Sequence, residues 1–226
     1  MNSLVTKILR GSNTRISRLH DENGSRVAVQ TLLKNGPSAV ASCLLRKVTG
    51  TLSARPWISY SATAEIEILL FAEKCRVLEY GSGMSTLWLA KRASTVLSIE
   101  DNAEWSKRVQ TALQKHKITN IEYRVSTSLD QYADTVRSDQ YLGAFDFILI
   151  DGPQRQNCAA LCEKLLAPGG AIYLDNSDKK QCPYSGDVPQ AVRILRDLAL
   201  QRGMSVTAFV DFAPGQLFVT EGLLFK

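Results

Sequence analysis

The chain has 226 residues, of which 45% are hydrophobic and 22% are charged, a composition typical of globular proteins. It contains no apolar run of about 18 residues, so a membrane-spanning helix is not expected. Its five cysteines, an odd number with no Cys-x-x-Cys pair, argue against a disulfide framework or a zinc site and favour a reducing, cytoplasmic compartment.

The formal net charge of +5 is concentrated at the N-terminus. Residues 1–56 contain nine basic and two acidic groups, so the rest of the chain is slightly acidic. We therefore predict a basic helical N-terminal extension over residues 1–56 and a second domain over residues 57–226. The basic helices are expected to mediate oligomerisation, to contact an anionic surface, or to present a solvated face. The first twenty residues, which contain arginine and serine but no acid, also resemble a transit peptide.

In chain order, residues 1–73 predict mainly helices, with one break at Asn35-Gly36-Pro37 and another between Gly50 and Pro56. A third helix is predicted over residues 62–73. From Cys75 onward, strands and helices alternate. Strands are predicted over residues 76–80, 95–100, 120–125, 145–151 and 170–174, and helices over residues 85–92, 103–117, 155–166 and 188–201.

Two further strands are predicted at the end of the chain, over residues 205–212 and 217–225. No long helix separates them, which indicates an antiparallel hairpin at one edge of the sheet. The segments at residues 77–80 and 147–150 are nearly continuous apolar runs, typical of parallel strands that helices cover on both faces. The sequence therefore predicts an α/β fold: a doubly wound, seven-stranded, mostly parallel sheet with an antiparallel edge strand and an N-terminal helical extension.

A glycine-rich turn follows the first predicted strand of this sheet, in the segment Glu79-Tyr80-Gly81-Ser82-Gly83-Met84-Ser85-Thr86. Gly81 and Gly83 allow a tight turn and a close approach of the backbone to a ligand. Ser85 or Thr86 can cap the helix that follows. A dinucleotide-binding turn has Gly or Ala where this chain has Thr86, and Glu79 would repel a pyrophosphate. The turn therefore favours a ligand that carries an ammonium group over NAD.

The next predicted strand ends in a second acidic pair, Glu100-Asp101. Glu100 lies 21 residues after Glu79. A carboxylate at that strand tip can accept hydrogen bonds from two ribose hydroxyls. Together with the glycine turn, it predicts a nucleoside-containing ligand. In the alternative, the glycines form only a tight turn and Glu100 only caps a helix.

These residues resemble motif I of the class I methyltransferases that use S-adenosylmethionine (SAM), an acid and any residue followed by Gly-x-Gly. The wider pattern, with Glu-Asp-x-x-x-Trp and Ile-Asp-Gly-x-x-Arg, is similar to a branch that methylates small molecules or glycans. The resemblance covers residues 57–226, although the usual third glycine is absent. It implies that Glu79 and Gly81 face the methionine portion and Glu100 the ribose. Trp105 either flanks the adenine or is a core aromatic of the helix after the second strand. The implied SAM-binding residues are Glu79, Gly81, Ser82, Gly83, Ser85, Thr86, Glu100, Asp101 and Asp151.

Polar side chains also follow two later strands, at Asp151 and at Asp175-Asn176. All three are expected at neighbouring strand tips, where their oxygens could hold Mg²⁺ or a similar cation. A resemblance to catechol-type O-methyltransferases implies the same metal site. Two alternatives remain open: Asp151 or Asp175 acts as a metal-free catalytic base, or Asp175-Asn176 only caps its own loop.

One departure from the catechol-type branch concerns the base. That branch has a lysine three residues after the first acid, whereas this chain has Gln154 there, followed by Arg155. Asp178 or Lys179 could act instead. Arg155 could bind an acidic group of the substrate or pair with Asp151 or Asp178.

The sequence thus predicts a SAM-dependent methyltransferase that acts on a small-molecule or glycan acceptor, most plausibly a hydroxyl, with optional help from a divalent cation. The alternatives are an N-methylating or non-catalytic SAM-fold protein and an NAD-dependent oxidoreductase. A nucleic-acid acceptor is not favoured. The relevant strand ends in Asp151-Gly152-Pro153-Gln154 and not in the Asn/Asp-Pro-Pro-Tyr/Phe loop of many amino-group methylases.

Overall fold

The computed structural model describes residues 10–50, 55–71, 75–180 and 182–226. The N-terminal part comprises strands β1 (Arg10–Ser12) and β2 (Arg15–Ser17) and helices α1 (Val29–Thr49) and α2 (Tyr60–Phe71). The middle part comprises β3 (Arg76–Tyr80), α3 (Met84–Ala90), β4 (Thr95–Glu100), α4 (Ala103–Lys115), β5 (Ile121–Val125) and α5 (Leu129–Tyr132). The last part comprises β6 (Phe145–Ile150), α6 (Arg155–Leu165), β7 (Leu166–Leu174), α7 (Val188–Arg202), β8 (Val206–Phe212) and β9 (Val219–Phe225).

Strands β3 to β9 form one seven-stranded sheet in the order β5-β4-β3-β6-β7-β9-β8. Strands β3 to β7 are parallel, and β9 is antiparallel to both β7 and β8. The predicted doubly wound sheet is confirmed, and the final hairpin lies at one edge with β8 outermost. After β3 the chain adds β4 on one side, and it later returns to add β6 on the other. The carboxyl ends of β3 and β6 therefore flank the crevice where such sheets bind ligands.

Helices cover both faces of the sheet. Val77 and Leu149 point to the face covered by α2 and α3, whereas Leu78 and Ile148 point to the face covered by α6 and α7. All four side chains are at most 1% exposed, and burial of each contributes roughly 1.5–3 kcal/mol. Because both faces are apolar, polar side chains gather at the strand tips.

The first described segment is a β-hairpin, so the prediction of helices was wrong there. In the hairpin, Arg10 pairs with Ser17, and Ser12 with Arg15. The side chain of Arg15 anchors the hairpin, since it lies 3.1 Å from Glu22, 3.5 Å from Asp178 and over the ring of Phe218. Asp178 and Phe218 are distant from the hairpin in sequence. Such long-range contacts leave no local pattern in the sequence. The part of this prediction that concerns residues 1–9 lies outside the described residues.

Helix α1 runs without interruption through Asn35-Gly36-Pro37, where a break was wrongly predicted. A proline inside a helix removes one backbone donor and costs about 3 kcal/mol. Asn35 offsets this cost because its buried amide donates to Asp211 Oδ2 at 2.7 Å and to Ser61 Oγ at 3.1 Å. The helix is therefore held by β8 and α2, and tertiary contacts override the local signal.

The ends of the two N-terminal helices agree better with the sequence. Helix α1 ends at Gly50, whose left-handed φ of 65° terminates it, as the break predicted between Gly50 and Pro56 requires. Helix α2 begins at Tyr60, and its predicted end at Glu73 lies outside the described residues. None of the helices that the structure describes combines the length and the apolar character needed to cross a bilayer.

Candidate functional site

The tips of β3 and β6 approach each other closely at the crevice. Gly81 has a φ of +94°, and a Cβ at this position would lie 2.6 Å from the backbone nitrogen of Gly152. A Cβ at Gly152 would in turn clash with the hydroxyl of Tyr132. Gly83, by contrast, is extended, and its added Cβ would meet nothing closer than 3.8 Å. Packing alone thus requires glycine at positions 81 and 152 but not at 83.

Glu79 lies at the end of β3 and is 0% exposed. Its Oε2 accepts hydrogen bonds from the hydroxyls of Thr86 and Ser98, both at 2.6 Å. Its Oε1 is buried and has no hydrogen-bond partner among the described residues. Burial raises the pKa of Glu79 to about 7, although the nearby hydroxyls of Ser85, Ser98 and Thr86 oppose the shift. The hydroxyl of Ser85 is near the carboxylate but makes no hydrogen bond of acceptable geometry to Oε1. A buried acceptor without a donor costs about 1–3 kcal/mol, and a ligand that brings an ammonium group removes this cost.

Glu100, at the end of β4, ties the glycine-rich turn to this strand. Its Oε2 accepts from the backbone nitrogen of Ser82 at 3.0 Å and from Ser82 Oγ at 2.6 Å, and its Oε1 accepts from Asn102 N at 2.9 Å. Burial raises the pKa of Glu100, and the hydrogen bonds from Ser82 oppose this. Since Oε1 accepts only one of these bonds, it retains capacity for a ligand hydroxyl.

Three hydroxyl groups around this turn complete its hydrogen bonding. Thr86 Oγ1 accepts from the backbone nitrogen of Gly83 at 2.9 Å while it donates to Glu79, so Thr86 provides the predicted cap. Ser98 and Tyr123, which contacts Ser82 Oγ at 2.6 Å, were missed by the sequence reasoning. Ser98 did leave a signal, since it is the polar residue inside an otherwise buried apolar strand and pairs with Glu79 in register.

Trp105 and Asp101 lie on the β4 side of the crevice. The indole of Trp105 donates to the carbonyl of Ser82 at 2.9 Å, and its ring lies 6.0 Å from that of Trp57. Asp101 Oδ1 accepts from the hydroxyl of Tyr184 at 2.8 Å. Tyr184 belongs to the segment between β7 and α7, so this bond spans the crevice. The sequence gave no indication of it because the two residues are 83 positions apart.

Arg155, the first residue of α6, joins the tips of β6 and β7. It is 2% exposed and donates to Asp151 Oδ1 at 2.9 Å, to the carbonyl of Asp151 at 3.0 Å and to that of Gly152 at 3.1 Å. It also donates to the carbonyl of Asp175. Of the two predicted roles, the structure therefore favours pairing with Asp151 over binding of a substrate group.

Asp151 and Asp175 form a carboxyl pair beside this guanidinium. Partial burial raises the pKa of Asp151, whose side chain is 29% exposed, while Arg155 and Lys179 oppose the shift. Burial and the charge of Asp151 raise the pKa of Asp175 well above its usual range. Because two adjacent carboxyls do not readily ionise together, this arrangement favours a proton shared by the pair, which suits general acid–base chemistry.

The segment that follows β7 contains three further candidate residues, Asn176, Asp178 and Lys179, and their surroundings differ. Asn176 has a left-handed φ of 48°, and its carbonyl accepts from Lys179 N at 3.2 Å. The side chain of Asp178 is fully buried and accepts from the backbone nitrogens of Glu22 at 3.0 Å and Glu221 at 3.2 Å. Asp178 thus anchors the N-terminal hairpin, and its suggested role as a base is not supported. The charge of Lys179 acts on the carboxyl pair.

The donor set at Asp151, Asp175 and Asn176 fits a hard divalent cation poorly. Arg155 and Lys179 already supply positive charge to both carboxyls, and a cation placed there would be repelled by them. Across the described ranges, no group of three or more His, Cys, Asp or Glu side chains could hold a metal ion. Assistance by magnesium therefore stays a prediction, and no step is derived through it.

Comparison with known proteins gives one matching family model. Residues 78–177, from β3 to just after β7, match a family model described as a methyltransferase domain. The match includes the glycine-rich turn, Glu100 and the carboxyl pair. No curated protein is significantly similar to the chain in sequence.

Several solved structures share the fold. The O-methyltransferase from Bacillus cereus, in complex with SAH, is 21% identical, with a TM-score of 0.59 over 84% of this chain and 90% of that one. The SAM complex of the O-methyltransferase TomG from Streptomyces achromogenes, involved in tomaymycin synthesis, is 16% identical, with a TM-score of 0.58 over 87% and 94%. Cofactor-bound Rv0187 from MTB is 24% identical, with a TM-score of 0.58 over 87% and 94%.

Proposed function

We propose that the chain is a class I SAM-dependent methyltransferase, which transfers the methyl group of SAM to a hydroxyl of a small-molecule or glycan acceptor. The observation that carries the choice of cofactor is the buried Oε1 of Glu79, which has no hydrogen-bond partner among the described residues. It lies at the switch-point crevice of the sheet and fits the ammonium group at the methionine end of SAM.

The geometry of the turn supports the other contacts that we propose with SAM. Gly81 brings its backbone to the crevice, and Glu100 accepts from the ribose through its remaining lone pairs. Trp105, beside the carbonyl of Ser82, lies on the adenine side. We propose that the cofactor site comprises Glu79, Gly81, Ser82, Gly83, Ser85, Thr86, Glu100, Asp101 and Asp151.

The carboxyl pair supports an oxygen acceptor. SAM supplies a methyl group on a sulfonium sulfur, which keeps the electrons of the breaking S–C bond as the acceptor oxygen forms the new O–C bond. A hydroxyl must lose its proton in this reaction, and the pair of Asp151 and Asp175 takes it. Arg155 donates to the carboxylate of Asp151 and to the backbone carbonyl of Asp175, and so holds both residues at the strand tips. An amine acceptor is nucleophilic when neutral and has less need of such a base.

Calorimetric titration with SAM, SAH and NAD tests the cofactor. We expect SAM and SAH to bind and NAD not to, because Glu79 repels a pyrophosphate. The matched variant Glu79→Gln removes the charge but keeps the shape, and we expect it to weaken SAM binding. If NAD binds and SAM does not, the proposal is wrong.

A panel of phenolic, sugar and amine acceptors, assayed with labelled SAM, tests the reaction. We expect methylation of a hydroxyl acceptor with and without EDTA. Transfer to amines alone would contradict an oxygen acceptor. Loss of turnover in EDTA with recovery in Mg²⁺ would show that the cation assists after all.

A further inference from the structure

Helix α1 carries an exposed apolar stripe opposite the face that packs on the fold. At about 100° per residue, six of its side chains fall within an arc of about 100°. The five valine and leucine side chains among them have exposed fractions from 49% for Val40 to 83% for Val48. The buried residues Asn35 and Ala39 lie on the other side of the helix. The stripe comprises Val29, Leu33, Pro37, Val40, Leu44 and Val48.

An open apolar groove of about 910 Å³ borders this stripe. Arg18 lies in its wall, and the Nε of this side chain is buried with no hydrogen-bond partner in the part of the chain that the structure describes. A buried guanidinium N–H without an acceptor costs free energy that an anionic oxygen would recover. The groove is lined by Leu19, Leu32, Val40, Leu44, Phe212 and Leu217.

The charged side chains of helix α1 are all positive. Helix α1 contains no acidic residue, and the exposed Lys34 and Lys47 lie at the two borders of the stripe by helical geometry. Long lysine side chains can keep their ammonium groups in a polar layer while their stems lie on an apolar one. An apolar face with basic borders is the pattern of a helix that lies in the interface of an anionic membrane.

We propose that the stripe and the groove dock onto the surface of an anionic lipid bilayer. The apolar side chains enter the boundary between headgroups and acyl chains, and Lys34, Lys47 and Arg18 meet the headgroup phosphates. This inference concerns α1 and is independent of the methyl acceptor and of the proposed chemistry.

A second copy of the chain fits the same face less well. In an antiparallel pair of α1 helices with Pro37 opposite Leu44, Lys34 of each helix would face Lys47 of the other. The helix offers no acid to neutralise these charges. Like charges that face each other across an interface oppose association.

Flotation of the full chain with vesicles tests the proposal. We expect binding to vesicles of phosphatidylcholine and phosphatidylglycerol in equal parts, but not to phosphatidylcholine alone. Binding should be lost in about 1 M salt, where the Debye length is about 3 Å. The double variant L33Q/L44Q should partition at least about tenfold more weakly, since it loses two apolar anchors. The matched control Leu200→Gln, at an 84% exposed leucine on α7, should bind like the unmodified protein.

Three results would overturn the proposal. They are absence of binding to the anionic vesicles, an equal loss in Leu200→Gln, and a dimer in light scattering that L33Q/L44Q converts into a monomer. The SAM affinity of L33Q/L44Q, measured by calorimetry, separates the test of membrane docking from the test of methyl transfer. Unchanged SAM affinity shows that the variant is folded, whatever the outcome for the proposed methyl transfer.

Discussion

Gly81 and Gly152 meet at the tips of β3 and β6, where a Cβ on Gly81 would lie 2.6 Å from the backbone nitrogen of Gly152. This contact brings the cofactor side and the acceptor side of the crevice together. Glu79 precedes Gly81, and Asp151 precedes Gly152, so the two acids at the centre of the proposed reaction are positioned by the same approach of two backbones.

The first prediction concerns this approach. Gly81→Ala should lower the free energy of unfolding by roughly 2–4 kcal/mol, because it adds a clash with backbone to a left-handed φ. Gly83→Ala is the matched control and should change it by less than about 1 kcal/mol, since its Cβ meets nothing closer than 3.8 Å. Urea denaturation of both variants measures the difference. Equal destabilisation would mean that the two tips do not approach as described.

The second prediction concerns the buried charge of Glu79. Its pKa of about 7 in the folded protein lies above the ordinary value of 4.5, so the folded state binds this proton more tightly than the unfolded state does. The contribution to stability is therefore complete below pH 4.5 and is lost as the pH rises through 7, by roughly 3 kcal/mol in total. Glu79→Gln should remove this pH dependence.

Unfolding of the ligand-free protein between pH 4 and 9 measures this effect. The variant should gain stability over the original protein at high pH and still bind SAM more weakly. If the difference between the two curves does not change with pH, the carboxylate is not held in an apolar site.

The third prediction concerns the ribose-binding acid. Glu100→Gln should weaken SAM binding by about 1–3 kcal/mol, the range for a lost hydrogen bond to a charged group. Glu104→Gln is the matched control, because Glu104 lies four residues later, in α4, and its side chain is 79% exposed and pairs with Lys107 alone among the described residues. Calorimetric SAM affinities should separate the two variants. Similar losses in both would argue against a direct role of Glu100.

The fourth prediction concerns the carboxyl pair. Asp151→Asn should lower kcat by two to four orders of magnitude, the usual contribution of a general base. Because the charge of Asp151 raises the pKa of Asp175, its removal should also move the rising limb of the pH–rate profile to lower pH. The matched control Asp146→Asn lies at the other end of β6, where the side chain of Asp146 accepts from Arg76 N and from no other described residue, and should keep kcat. A shift towards higher pH in Asp151→Asn would contradict the coupling of the two acids.

The parallel strands were predictable because each one is covered on both faces. The bounds of β3 and β4 agree with the sequence prediction residue by residue, since each apolar run ends where the chain reaches the polar edge of the sheet. Strand β7 begins earlier than expected, at Leu166, because the pairing with β6 is irregular between Phe145 and Phe147. Pro168 and Gly169 are typical of turns, so the sequence did not indicate that the strand begins before them.

The sequence by itself determined the sheet, the glycine-rich turn and the placement of Glu79, Glu100, Asp151 and Asp175 at strand tips. These features depend on hydrophobic periodicity and turn chemistry within a few residues, so the local sequence indicates them. Only the tertiary structure decided which oxygen of Glu79 lacks a donor, that Arg155 pairs with Asp151, and that Asp178 holds the N-terminal hairpin. Those outcomes depend on contacts between residues that the fold brings together from distant positions, such as Asp178 and Glu22, 156 positions apart.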